Sequence, residues 1–164
     1  MKLFSELFAE MLENDKQPMY VAVRPDPTTI TLLNSLASQY NVPNPLRPEK
    51  MHCTLIYSRT PTIIPQVQVH RIYKSTIEKF DIFNTRDGKR CLVAKLRSTD
   101  LQIRHNELMT ELEASYDFPS YLPHITLSYD VGPDFDINPM NVKITQNPVY
   151  LMSEYYEILD DLID

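Results

Sequence analysis

The sequence writes one order of elements twice. Val21 stands 31 residues before His52, and Val93 stands 31 residues before His124. In the first copy MYVAV (19–23) is an apolar, β-compatible run stopped by Pro25 and Pro27. Thr28 then caps a helix to about Tyr40, with Ile30, Leu33, Leu36 and Ala37 on one side. A loop bearing Pro43, Pro45 and Pro48 leads to the strand MHCTLIY (51–57). In the second copy CLVAKL (91–96) is the strand, and Ser98 or Thr99 caps a helix to about Tyr116. Leu101, His105, Leu108 and Leu112 are spaced along that helix, and Pro119 and Pro123 bracket the loop before HITLSY (124–129). A duplication of this kind predicts two similar lobes facing each other across a pseudo-dyad.

The remaining segments frame those lobes. Leu3, Phe4, Leu7, Phe8, Met11 and Leu12 follow helical spacing and predict an amphipathic helix over 2–16 that ends before Pro18. Val67 to Phe80 reads as helical, and Asp81 to Lys89 as a polar loop with a turn at Asp87–Gly88. The tail NPVYLMSEYYEIL (147–159) is a tyrosine-rich strand. With 164 residues and no linker or low-complexity tract, the chain is expected to be one domain. Lobe one takes about 19–60 with the N-terminal helix, and lobe two about 91–130.

Composition narrows the chemistry. Sixteen Lys and Arg against 22 Asp and Glu give a net charge of −6, which argues against binding long nucleic acid through a basic footprint. Gly88 and Gly132 are the sole glycines, so no GxGxxG or Walker-type phosphate loop can be written. Cys53 and Cys91 form no CxxC pair, and none of His52, His70, His105 and His124 belongs to an HExxH motif, so no metal or other cofactor is expected. Two unpaired thiols suit a reducing compartment. Glu6 and Glu10 interrupt the opening apolar stretch, which predicts no cleavable leader, and no apolar run approaches the ~20 residues of a membrane span. A cytoplasmic protein with no membrane partner and no obligate protein partner is expected.

The chemistry-bearing feature is the tetrapeptide opening each lobe's second strand, His52-Cys53-Thr54-Leu55 and His124-Ile125-Thr126-Leu127. Strand residues two apart share a face, so His52 points with Thr54 and His124 with Thr126. Across a pseudo-dyad the two pairs offer two imidazoles and two hydroxyls to one ligand from opposite sides. In-line displacement at phosphorus requires that arrangement: a base on the attacking oxygen, an acid on the leaving oxygen, and donors for the non-bridging oxygens. Histidine fills either proton-transfer role near neutral pH. His70 and His105 have no threonine two residues on, lie in predicted helices, and are read as structural.

The duplicated H-x-T pattern, in a chain of this size and lobe order, resembles the two-histidine (2H) phosphoesterase superfamily. The resemblance covers roughly 20–159 and implies an α+β, bilobal, LigT-like fold with antiparallel sheets lining a central groove. It further implies metal-independent cleavage of a phosphodiester, with His52, Thr54, His124 and Thr126 as the catalytic quartet. Within that superfamily the chain is similar to the phage anti-CBASS phosphodiesterases, which destroy the cyclic oligonucleotide messengers of bacterial immunity. The similarity implies a base stacked on Tyr20 of the first strand and on a mid-chain aromatic, for which Phe83 is the candidate. Glu154 of the last strand is the candidate acceptor for an adenine amino group. Among the basic residues near the cleft, Arg24, Arg47, Lys50, Arg86 and Lys89, Lys50 is favoured as a phosphate contact because it stands two residues before His52. A 2′,3′-cyclic nucleotide phosphodiesterase or RNA-end enzyme of the same superfamily, and a non-catalytic cyclic-nucleotide binder, are the alternative readings.

Overall fold

The computed structural model describes residues 3–7, 15–142, 144 and 148–159. Six strands form its frame: β1 (Gln17–Pro25), β2 (Cys53–Thr62), β3 (Tyr73–Asn84), β4 (Arg90–Arg97), β5 (His124–Ser128) and β6 (Pro148–Ile158). Against these strands stand α1 (Pro27–Gln39), α2 (Thr99–Leu112) and the short α3 (Asn138–Val142), with a one-turn 3-10 helix at Pro48–Lys50. All strand pairs are antiparallel, in the order β2-β1-β6-β3-β4-β5. The duplicated halves are therefore two three-stranded units, β2-β1-β6 and β5-β4-β3. They fuse into one sheet where Tyr73–Thr76 pair with Leu151–Pro148.

Alternation along the strands decides what is buried. Val21, Val23, Cys53, Leu55, Leu92, Ala94, Ile125 and Leu127 join Leu33 and Ala37 of α1 and Leu101 and Leu108 of α2 in one apolar cluster. Full burial of each large aliphatic side chain stabilises by about 1.5–3 kcal/mol. The leucine that closes each H-x-T-L motif is thus a core residue.

Both long helices start at side-chain caps. Ser98 accepts from the Leu101 amide, as the sequence predicts, whereas α1 is capped by Asp26, which accepts from Thr29 N at 3.0 Å, and not by Thr28. Pro27 occupies the first turn of α1, where its missing N–H goes unmissed. Helix α2 stops at Leu112 rather than near Tyr116, because Glu113 adopts φ 49° and turns its amide to the Met109 carbonyl.

Two expectations are corrected. The segment around Val67–Phe80 is not a helix, and Phe83 is not in a loop: Tyr73–Asn84 is a strand. Tyr73, Ser75 and Ile77 alternate inward, then an irregularity between Ile77 and Lys79 returns Phe80 to the core. That inserted residue places Ile77 and Phe80 three apart, which imitates helical spacing. The hairpin turn follows over Thr85–Lys89, with Gly88 at φ 82°. The correspondence of Val21 with Val93 is also one residue off. Val21 pairs with Ile56 and packs in the core, while Val93 pairs with Thr126, so its counterpart is Ala22, the partner of Thr54.

Residues 4–7 are helical. Of the rest of the predicted N-terminal helix, residues 3, 15 and 16 are not helical, and residues 2 and 8–14 lie outside the described residues. Among the described residues no helix is long and apolar enough to cross a membrane.

The edge strands of the two halves are tied together. Leu46 N donates to Leu127 O at 2.7 Å, and Ser128 Oγ donates to Pro43 O at 2.7 Å, so the proline loop of the first half seals the edge of the second. Arg59 on β2 pairs with Asp117 through Nε at 3.1 Å. The sheet's helix-free face, beside His124 and Thr126, carries a groove.

Candidate active site

Each H-x-T motif shows the same alternation. His52 and Thr54 are half-buried around a fully buried Cys53, and His124 and Thr126 are half-buried around a fully buried Ile125. The core thus takes the intervening residue and leaves histidine and threonine facing the groove together. The two imidazoles are also oriented alike. Nδ1 of His52 donates to the Lys50 carbonyl at 2.9 Å, and Nδ1 of His124 donates to the Leu122 carbonyl at 2.8 Å. A carbonyl only accepts, so each Nδ1 carries the proton and each Nε2 is left for chemistry. Neutral, Nε2 takes a proton; charged, it gives one.

The motifs adjoin across the pseudo-dyad. Tyr121, three residues before His124, donates its hydroxyl to the Thr54 carbonyl at 2.8 Å. Its ring stacks on His105 at 4.2 Å with 3° between the planes, and His105 Nδ1 donates to the Leu55 carbonyl at 2.6 Å. His105 is therefore a buried structural residue, as the sequence suggests, and burial holds its imidazole below the ordinary histidine range. Burial also pushes His124 down, and the positive field of a protonated His52 adds to that. The neutral form of His124 is favoured.

The groove walls differ. Beside His52, β1, β2 and β6 present an aromatic cluster: Tyr20 lies 6.1 Å from the His52 ring, 6.3 Å from Tyr57 and 6.2 Å from Tyr155. The Tyr20 hydroxyl donates to Glu157 at 2.7 Å. Beside His124, the Phe83 ring stands edge-on at 5.1 Å and 72°. There the groove opens into a cavity of about 1260 Å³ whose lining includes Phe83, Arg86, Phe118, His124, Thr126 and Tyr129. Phe118 and Tyr129 are exposed aromatic residues on its wall.

Two sequence candidates are placed elsewhere. Lys50 is not on the strand. It ends the 3-10 turn, its side chain is exposed, and its contribution to the site is the carbonyl that holds His52. Glu154 does not reach the groove. Ser153, at φ 56°, interrupts the alternation of β6 and turns Glu154 inward, where it is 2 % exposed. Its carboxylate accepts from Arg104 Nε at 2.8 Å, from Arg104 Nη2 at 3.2 Å and from the Gln68 amide. The groove face of β6 is instead Tyr155 and Glu157, the partners of Ala22 and Tyr20. Period two counted from Tyr155 finds them once the irregularity at Ser153 is known. Tyr57 and Tyr121 were also missed; no local pattern marks Tyr121, because its partner is 67 residues away.

Comparison with known proteins gives the family and the fold. Residues 17–163 match the family model described as anti-CBASS protein Acb1. The chain is 36% identical over 146 residues to the anti-CBASS protein Acb1 of Vibrio phage KVP40, covering 89% of this chain and 90% of that one. It is likewise 36% identical over 142 residues to Acb1 of Enterobacteria phage T4, covering 86% and 88%. In fold it is similar to E. coli LigT complexed with 3′-AMP, with TM-score 0.52 and 14% identity, covering 88% of this chain and 96% of LigT. With the groove, its paired histidines and these relatives together, the chain belongs to the Acb1 family of anti-CBASS proteins and has the LigT-like 2H phosphoesterase fold.

Proposed function

We propose that the chain cleaves 3′–5′ phosphodiester bonds of cyclic di- and trinucleotide immune signals, with His52 and His124 as the acid–base pair. The single observation that carries this reading is the matched orientation of the two imidazoles, each with Nδ1 donated to a carbonyl and Nε2 free. The chain is a phosphoric diester hydrolase that counters the cyclic-nucleotide signalling of a bacterial host, inside the host cell. Among the described residues no three His, Cys, Asp or Glu side chains are grouped as a metal site would require.

The reaction balances with these groups. Neutral His124 removes the proton from a ribose 2′-hydroxyl, whose oxygen attacks the adjacent phosphorus. The bond from phosphorus to the 5′-oxygen breaks in line, and protonated His52 delivers its proton to that leaving oxygen. The ring opens with a 2′,3′-cyclic phosphate intermediate at one end. Water then attacks that phosphorus, giving its proton to the now neutral His52, while protonated His124 returns its proton to the departing 2′-oxygen, which restores both imidazoles. The depressed His124 suits the base role, because a base must be unprotonated before the reaction begins. Thr54 and Thr126 donate hydroxyls to the non-bridging oxygens as charge grows. The sugar itself holds the nucleophile beside the phosphorus, which supplies proximity that the protein need not provide. Tyr20 and Phe83, one beside each histidine, are the stacking faces for bases.

The test is a panel of cyclic di- and trinucleotides, 2′,3′-cyclic mononucleotides and a short linear RNA, followed by chromatography. Linearisation of adenine-containing rings is expected, undiminished by EDTA, with little action on the linear RNA, which a net charge of −6 repels. Efficient opening of 2′,3′-cyclic mononucleotides with the rings untouched would favour the RNA-end reading instead.

A further inference from the structure

Strand register sets one cation beside each histidine. Counting from the paired positions Ala22–Thr54 and Val93–Thr126, the residues two further along their strands are Arg24 and Lys95. Lys95 is the direct cross-strand partner of His124. Both cations are half-buried between fully buried neighbours, Val23 and Pro25 in one half and Ala94 and Leu96 in the other. They are pseudo-dyad counterparts, and neither is part of the H-x-T motifs.

Their charges are met differently. The Arg24 guanidinium lies 4.4 Å over the Tyr155 ring and donates from Nη1 to the Glu49 carbonyl at 3.1 Å. Arg24 is already engaged, and it braces the turn that carries the Lys50 carbonyl. Lys95 has no ion pair among the described residues. Its partner on the far side is Lys79, which reaches Asp81 at 3.7 Å. Like charges directly opposite one another destabilise a sheet, and a half-buried ammonium without a counter-ion is costly. One anion over β4, beside His124, relieves both penalties.

We infer that Lys95 binds a substrate phosphate, the one next to the diester under attack. This rests on the reading of the groove as a cyclic-oligonucleotide site. Thr126 and His124 occupy the position of the diester being cleaved, and Lys95 stands one strand further in, on the same face. The ring's second phosphate then lies toward β4 and β3 rather than toward β1, where Arg24 is committed to Tyr155 and Glu49.

The experiment uses the full chain with Lys95→Gln and Lys95→Arg, a cyclic dinucleotide for turnover and inorganic pyrophosphate for binding. Lys95→Gln should raise KM about tenfold and weaken pyrophosphate binding by a similar factor, as loss of one charged hydrogen bond predicts. It should also lower the slope of log affinity against log salt by about one, and Lys95→Arg should restore all three values. A merely structural lysine does not move the salt slope. Equal pyrophosphate binding by wild type and Lys95→Gln, or no pyrophosphate binding by the wild type, overturns the assignment. Pyrophosphate binding that depends on Lys95 in a chain that leaves every cyclic oligonucleotide intact overturns the functional reading and keeps the site.

Discussion

Tyr121 of the second half donates its hydroxyl to the carbonyl of Thr54 in the first half at 2.8 Å. This bond crosses the pseudo-dyad, and it joins the segment that positions His124 to the backbone that positions Thr54. Tyr121→Phe removes the bond and keeps the ring that stacks on His105. It should cost roughly 1 kcal/mol of stability, the usual net worth of a buried hydrogen bond. Because the Thr54 backbone then loses its tie to the segment that positions His124, kcat should fall more than KM rises. Unchanged kcat alongside a lowered Tm would show that the tie is only structural.

His52→Ala and His124→Ala should each reduce turnover on the order of 10²–10⁴-fold while the protein stays folded. Both rings are half-buried at the groove, and neither belongs to the apolar core. Substrate binding, measured calorimetrically, should survive in both variants because Tyr20 and the threonines remain. Wild-type turnover in either single variant contradicts the acid–base assignment.

The pH dependence has a sign that follows from burial. His124 is held below the ordinary histidine value of about 6.5, so the acid limb of kcat/KM should have its midpoint below that value. In His52→Gln the neighbouring positive charge is absent, and NMR titration of His124 should move upward. A downward or absent shift would show that the two imidazoles do not sense each other.

The same depression makes a stability prediction. His105 and His124 both favour the neutral form when folded, so the unfolded chain binds more protons at acid pH. Their contribution is fully present above about pH 6.5 and is lost as pH falls from there through the lower folded values. Denaturant titrations should show stability declining over that window. Replacing His105 with Gln should flatten the decline, and an unaltered slope would remove His105 from the account.

Glu154 separates a structural from a recognition role. Its carboxylate is buried against Arg104 at 2.8 Å, and breaking a buried pair typically costs about 3–5 kcal/mol. Glu154→Gln should therefore lower Tm markedly yet leave KM for an adenine-containing ring unchanged at a temperature where the variant is folded. Tyr20→Ala should do the reverse, weakening binding by about 1–3 kcal/mol with little loss of stability. A raised KM in folded Glu154→Gln would return that carboxylate to the site.

The sequence by itself determined where the two H-x-T-L motifs lie and the order of elements around them. Alternation in H-x-T-L is local: period two makes histidine and threonine share a face and sends Leu55 and Leu127 to the core. The strands carrying those motifs, the helix capped by Ser98 and the turn at Asp87–Gly88 were legible for the same reason. Tertiary structure alone decided what depends on register. One residue inserted near Glu78 disguised β3 as a helix, and one irregularity at Ser153 exchanged Glu154 for Glu157 on the groove face. A single-residue slip flips every later side chain in a strand, and composition does not record it. Lys50, Tyr121 and Lys95 take their roles from a carbonyl, a bond across the dyad and a cross-strand neighbour. Of these contacts the Tyr121 bond needs the two halves to have paired through β6 and β3, while the other two need a turn and a strand register within one half.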